Sequence, residues 1–131
     1  MAQDDDQPKP AEDSLQSGYF CFQNFLGDTI STGAASHWTS TTGDQVLTLD
    51  GLGQGDTSLS QPFNTSSSDI DHWNFTATLE NGQTFSVEDK DCAVHSEDAG
   101  GTVTLQATAS GDSGTFTIVP PKSGSCNCSF D

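Results

Sequence analysis

A chain of 131 residues is long enough for one domain with a real core, and this one has no apolar run long enough to cross a membrane as a helix. Its 19 acidic residues face three lysines and no arginine, for a formal charge of −16. Such a surface repels nucleic acid and anionic lipid, because phosphate contacts need Lys and Arg, and it attracts divalent cations, polyamines and basic partners.

Residues 1–16 are polar, acidic and Pro-containing, and read as a disordered arm ahead of a single domain over 17–131. Ala2 to Asp6 has the composition of a mature N-terminus with Met1 placed ahead of it. No segment carries a helical period. Apolar residues alternate instead, which predicts strands. These are expected at about Gly18–Leu26, Thr29–Trp38 and Gln45–Leu52, and then, past the turn Gly53-Gln54-Gly55-Asp56, at Thr57–Phe63. His72–Leu79 puts Trp73, Phe75, Ala77 and Leu79 on one face. Asn81-Gly82 is the residue pair of a tight hairpin turn and leads into Gln83–Val87, with Phe85 and Val87 inward. Thr102–Ala109 and Thr115–Val119 follow, and Pro120-Pro121 stops the second, since proline cannot continue a ladder. The remainder reads as a polar, cysteine-bearing tail. About eight short strands with regular turn signals predict an all-β antiparallel sandwich, compatible with Greek-key connections.

If each strand runs antiparallel to the one before, as short connections require, the links alternate between two ends of the sandwich. One end, the pole, then collects residues 39–44, 64–71 and 88–101, with the start of the first strand and the tail. It holds His37, His72 and His95, Trp38 and Trp73, most of the clustered acids, and the cysteines, Cys21 least directly.

Asp69, Asp71, Glu88, Asp89 and Asp91 are the candidate metal ligands. Calcium is the ion they favour, because it takes oxygen donors from loops, although the spacing of an EF-hand loop is absent. Trp38, His37, His72 and His95 are the candidate ligand contacts, since an aromatic beside polar loops is a platform for a sugar ring or lipid headgroup. Zinc or copper on the histidines and Cys92 finds no H-x-H, H-E-x-x-H or C-x-x-C spacing in support. No G-x-S-x-G elbow is present, and no deep cleft is implied for a carboxylate-pair glycosidase, so an enzyme is not expected. Four cysteines predict two disulfides: Cys92–Cys126 with Cys21–Cys128, ahead of Cys92–Cys128 with Cys21–Cys126. Paired cysteines and the sequons Asn64-Thr65-Ser66, Asn74-Phe75-Thr76 and Asn127-Cys128-Ser129 point to secretion, with a cytoplasmic location as the alternative.

Ordered segments along the chain carry a family resemblance. They are Asn24 to Ile30 with Ser36-His37; Leu52 with Gly55-Asp56-Thr57-Ser58; Asn64-Thr65; Asp71-His72-Trp73; Asn81-Gly82; Asp98 to Leu105; and Pro121 to Cys126. In this order they resemble the Up-regulated in Daf-2 domain family of small β-sandwich proteins, over most of residues 18–128. The acidic arm and the Cys-x-Cys tail depart from that pattern. The resemblance implies the fold and no particular activity or functional residue. The family is similar in build to aegerolysins, which bind membrane lipids, and to bacterial inclusion-body proteins that pack as cytoplasmic stores, but a fold hosts many functions.

The expectation is therefore a secreted, non-enzymatic recognition module that binds a glycan or lipid headgroup at the acidic pole with calcium assistance. A self-assembling structural protein built from strand edges is the alternative, and a small hydrolase the third.

Overall fold

A computed structural model describes residues 15–66 and 69–131. Among them are nine strands: β1 (Leu15–Phe25), β2 (Ile30–Thr39), β3 (Gly43–Thr48), β4 (Gln61–Ser66), β5 (His72–Leu79), β6 (Thr84–Asp91), β7 (Thr102–Ser110), β8 (Ser113–Val119) and β9 (Cys126–Phe130). They form two packed sheets, one of five strands in the order β9-β8-β7-β1-β4 and one of four in the order β3-β2-β5-β6. The all-β sandwich expected from the alternation is the fold observed. No helix among the described residues is long and apolar enough to cross a membrane.

The period-two pattern explains the packing directly. Phe20 and Phe22 of β1, Phe75 of β5, and Phe116 and Ile118 of β8 all face the space between the sheets and are buried. Rings meet across that space, Phe20 with Trp73 at 5.7 Å and Phe22 with Phe75 at 5.5 Å between centroids. Each such pair contributes about 0.5–1.5 kcal/mol beyond the area it buries.

Every strand pairing is antiparallel except β1 with β7, which is parallel. Parallel pairing of the first and seventh strands is what strict alternation of direction produces. The pole therefore exists as a place: Thr41 hydrogen-bonds Asp69, Asp71 accepts from Val94 N–H, and Asp98 accepts from Lys122 N–H, so the loops after β2, β4, β6 and β8 meet.

Four expectations need correction. β1 begins at Leu15, because Leu15 and Gln16 pair with Ser66 and Thr65; the rest of the expected arm lies outside the described residues. The fourth strand is Gln61–Ser66, not Thr57–Phe63. Thr57 makes one bridge to Gln23, and Ser58 exchanges hydrogen bonds with Phe22 before the chain leaves the ladder. The tail after Pro121 contains β9, an edge strand whose Cys126, Cys128 and Phe130 pack against the core. Finally, Cys92 pairs with Cys126 as preferred, but Cys21 and Cys128 are free. Cys128 stands opposite core residue Phe116, whereas Cys21 alternates with core Phe20 and Phe22 and so faces outward. Their strands are three apart, about 14 Å at the usual spacing, against at most about 7 Å between the Cα atoms of a bridge. The Cys92–Cys126 bond, with Cα atoms 5.8 Å apart, ties the edge of one sheet to the edge of the other.

Candidate functional site

β2 divides the neighbouring pair His37-Trp38 between two environments. Ala35, His37 and Thr39 face the core, so Trp38 faces outward and is half-buried. His37 has no exposed surface and lies among Phe63 and Trp73, at 4.5 and 4.6 Å between centroids. Its Nε2 is 2.7 Å from Asp71 Oδ1 and its Nδ1 is 2.8 Å from Gln45 Oε1. Asp71 is equally buried, and its Oδ2 accepts from Val94 N–H at 2.9 Å. The dyad orients the 92–94 loop from below, aided by Trp73 Nε1, which donates to the Cys92 carbonyl at 3.0 Å. His37 therefore presents no surface to a ligand, contrary to the expectation from sequence, and Asp71 has both carboxylate oxygens engaged within the core.

On the outer face of the same strands the register aligns Trp38 with His72 and His72 with Asp91, across β2, β5 and β6. The Trp38 and His72 rings stack at 3.9 Å and 12°. A bulge completes the group. Between the pairs Trp73–Lys90 and Phe75–Val87, β6 carries one residue more than β5. Asp89 takes the left-handed conformation there, with φ 62°, and its N–H donates to Asn74 Oδ1 at 2.5 Å. The extra residue reverses the alternation beyond Val87, so that Asp89 and Asp91 both reach His72. His72 Nδ1 lies 2.5 Å from Asp89 Oδ1 and 2.9 Å from Asp91 Oδ1. Both contacts are at ion-pair distance, and that nitrogen is shielded from solvent. The carboxylates themselves are open, 59% and 61% exposed.

Of the five acids expected to share an ion, only Asp89 and Asp91 come together, with His72 as third member; the three ligand atoms lie within 4.8 Å of one another. Asp69 instead accepts from the Thr41 hydroxyl, which holds its carboxyl below the usual aspartate range against the opposing effect of partial burial. Glu88 is exposed on β6 and His95 on the loop beyond it, and neither belongs to the group.

The sequence reading missed Asp98. It is buried, which raises its carboxyl's pKa, but the Ser123 hydroxyl and the N–H groups of His95, Lys122 and Ser123 outweigh that and hold it below its ordinary value. Its position at the third residue of the short 3₁₀ turn Ser96–Asp98, reaching back to His95 N–H, is the local signal that marks it. Asn74 was missed as well, because it acts only through the bulge.

A nitrogen and two open carboxylates converging on one face can hold a borderline divalent ion and leave coordination positions for a ligand. No protein-family model matches the chain, and no curated protein is significantly similar to it.

Proposed function

We propose that this protein is a secreted, non-enzymatic recognition domain, and that His72, Asp89 and Asp91 hold a divalent cation through which the pole binds a glycan. The carrying observation is the convergence of the three donor atoms within 4.8 Å of one another, with the His72 nitrogen shielded from solvent and the two carboxylates open. A nitrogen donor favours zinc or manganese over calcium, which prefers oxygen throughout. Sugar hydroxyls would complete the coordination shell, and the exposed part of Trp38, braced by its stack on His72, would take a ring face. The Cys92–Cys126 disulfide fits an oxidising compartment. Asp71 and His37 form no hydrolytic site, being sealed in the core with no nucleophile on either histidine nitrogen.

Calorimetric titration with zinc, manganese and calcium should give one site, lost in His72→Ala and weakened in Asp91→Asn. Asp89→Gly should lose the site without loss of fold, since glycine accepts the positive φ. A glycan array with and without the ion should show binding that needs both the ion and Trp38. Absence of any saturable ion binding in the unsubstituted chain would sink the reading.

A second reading, self-association, rests on one observation. Val46 and Leu59 are exposed, Leu59 at 88%, beside a shallow groove between β3 and the 57–61 segment. Sedimentation over a concentration series decides it, and a monomer throughout removes it.

A further inference from the structure

The two edges of the five-stranded sheet carry no charge to discourage pairing with another chain. A sheet edge presents unpaired N–H and C=O groups, and proteins guard such edges with charge, bulges or proline. The four-stranded sheet follows that rule: β6 carries Glu88, Asp89, Lys90, Asp91 and the bulge, and β3 carries Asp44. The outer strands of the other sheet, β4 and β9, contain no charged side chain. β4 has Pro62; β9 has neither charge nor proline.

What both strands do carry is a sequon. Asn64 lies on β4 and Asn127 on β9, each exposed, and each on the outer face, because its neighbours Phe63 and Thr65, or Cys126 and Cys128, point inward. The third sequon is placed differently. Asn74 is on β5, in the interior of its sheet, and its amide is committed at both ends. Nδ2 donates to Ser36 Oγ at 3.1 Å, and Oδ1 accepts the Asp89 N–H that fixes the bulge.

We propose that Asn64 and Asn127 are N-glycosylated, that their glycans guard the two uncharged edges of the five-stranded sheet, and that Asn74 is unmodified. The inference shares with the proposed function only the secretory route; it does not depend on the ion or on any pole ligand. The transfer forms a bond between asparagine Nδ2 and C1 of a lipid-pyrophosphate-linked oligosaccharide. The C1–O bond to the pyrophosphate breaks, the lipid pyrophosphate leaves, and Nδ2 gives up one proton. Among the described residues, no side-chain hydrogen bond holds Nδ2 of Asn64 or Asn127, and both side chains are exposed. At Asn74 a glycan would stand between β2 and β6 and disturb the hydrogen bond to Ser36.

The test is secretion of the full chain from a eukaryotic host, followed by peptide mapping before and after peptide-N-glycosidase treatment, which converts each glycosylated Asn to Asp. Conversion is expected at Asn64 and Asn127 and not at Asn74. Asn64→Gln and Ser129→Ala should each remove one glycan. The chain with both changes should self-associate at concentrations where the glycosylated form sediments as a monomer. Unmodified Asn64 and Asn127 in folded, secreted protein, or a glycan on Asn74, would overturn the proposal. Monomeric behaviour of the doubly substituted chain would overturn the edge-guarding role. Ion titration of the same samples reads the pole separately, so failure of either proposal is seen without the other.

Discussion

At the scale of single residues, two aspartates hold the pole together. Asp71 is buried against His37, and both its oxygens are in use, so truncation leaves a histidine nitrogen and the Val94 N–H without partners inside the core. Breaking a buried pair on one side costs about 3–5 kcal/mol. Asp71→Ala should lower stability by that order in urea denaturation; a loss well under 1 kcal/mol would mean that the pole does not rest on the dyad. Asp98 makes a prediction about pH. Its folded pKa lies below the ordinary aspartate value of about 3.9, so its stabilisation is complete above that value and is lost as pH falls through the lower folded one. Asp98→Asn should cost about 1.5–3 kcal/mol at neutral pH, the range for hydrogen bonds to a charged group. The gap between the two proteins in thermal melts should then close below about pH 4. A gap that persists unchanged in acid would place the cost in shape and not in charge.

Strands and loops show where a sequence is legible and where it is not. His72–Leu79 and the turn at Asn81-Gly82 were readable because every determinant is local: alternation, turn residues and flanking acids. β9 was not read as a strand because its five residues include two cysteines and follow two prolines, yet Cys126, Cys128 and Phe130 do alternate inward. The bulge was invisible for a different reason. Nothing in Glu88-Asp89-Lys90-Asp91 marks an extra residue, and only its mispairing with Asn74 across the ladder turns Asp89 toward His72. The site was therefore half legible: the proximity of His72 to Asp89 and Asp91 followed from the hairpin, while the exclusion of Asp69 and Asp71 followed from contacts with Thr41 and His37 made by a distant strand and its turn. The disulfide acts at this same scale. It joins residues 34 apart in sequence and fixes β9 to the end of β6. Closing a loop of that length stabilises by about 3–4 kcal/mol on the chain-entropy account. Replacement of Cys92 and Cys126 by serine should lower the free energy of unfolding by that amount, and β9 amides should lose hydrogen-exchange protection before those of β7. Uniform loss of protection would argue against a separately pinned edge.

For the whole molecule, the charge of −16 governs the electrostatics outside the core. Compaction brings the acids closer than they are in the expanded chain, so self-repulsion weighs against the folded state. Salt relieves it, since the screening length falls from about 30 Å at 0.01 M to about 8 Å at 0.15 M ionic strength. The melting temperature should therefore rise with sodium chloride, most steeply at low concentration and then level off. The same experiment separates a bound ion from bulk screening. At matched ionic strength, zinc or manganese chloride should add a further increase in the unsubstituted protein, because an ion bound only to the folded state stabilises it by mass action. His72→Ala should keep the sodium chloride response and lose the added increment. A melting temperature indifferent to sodium chloride would remove self-repulsion from the account of this fold, whatever the metal does. An increment that survives His72→Ala would place the cation elsewhere among the acids.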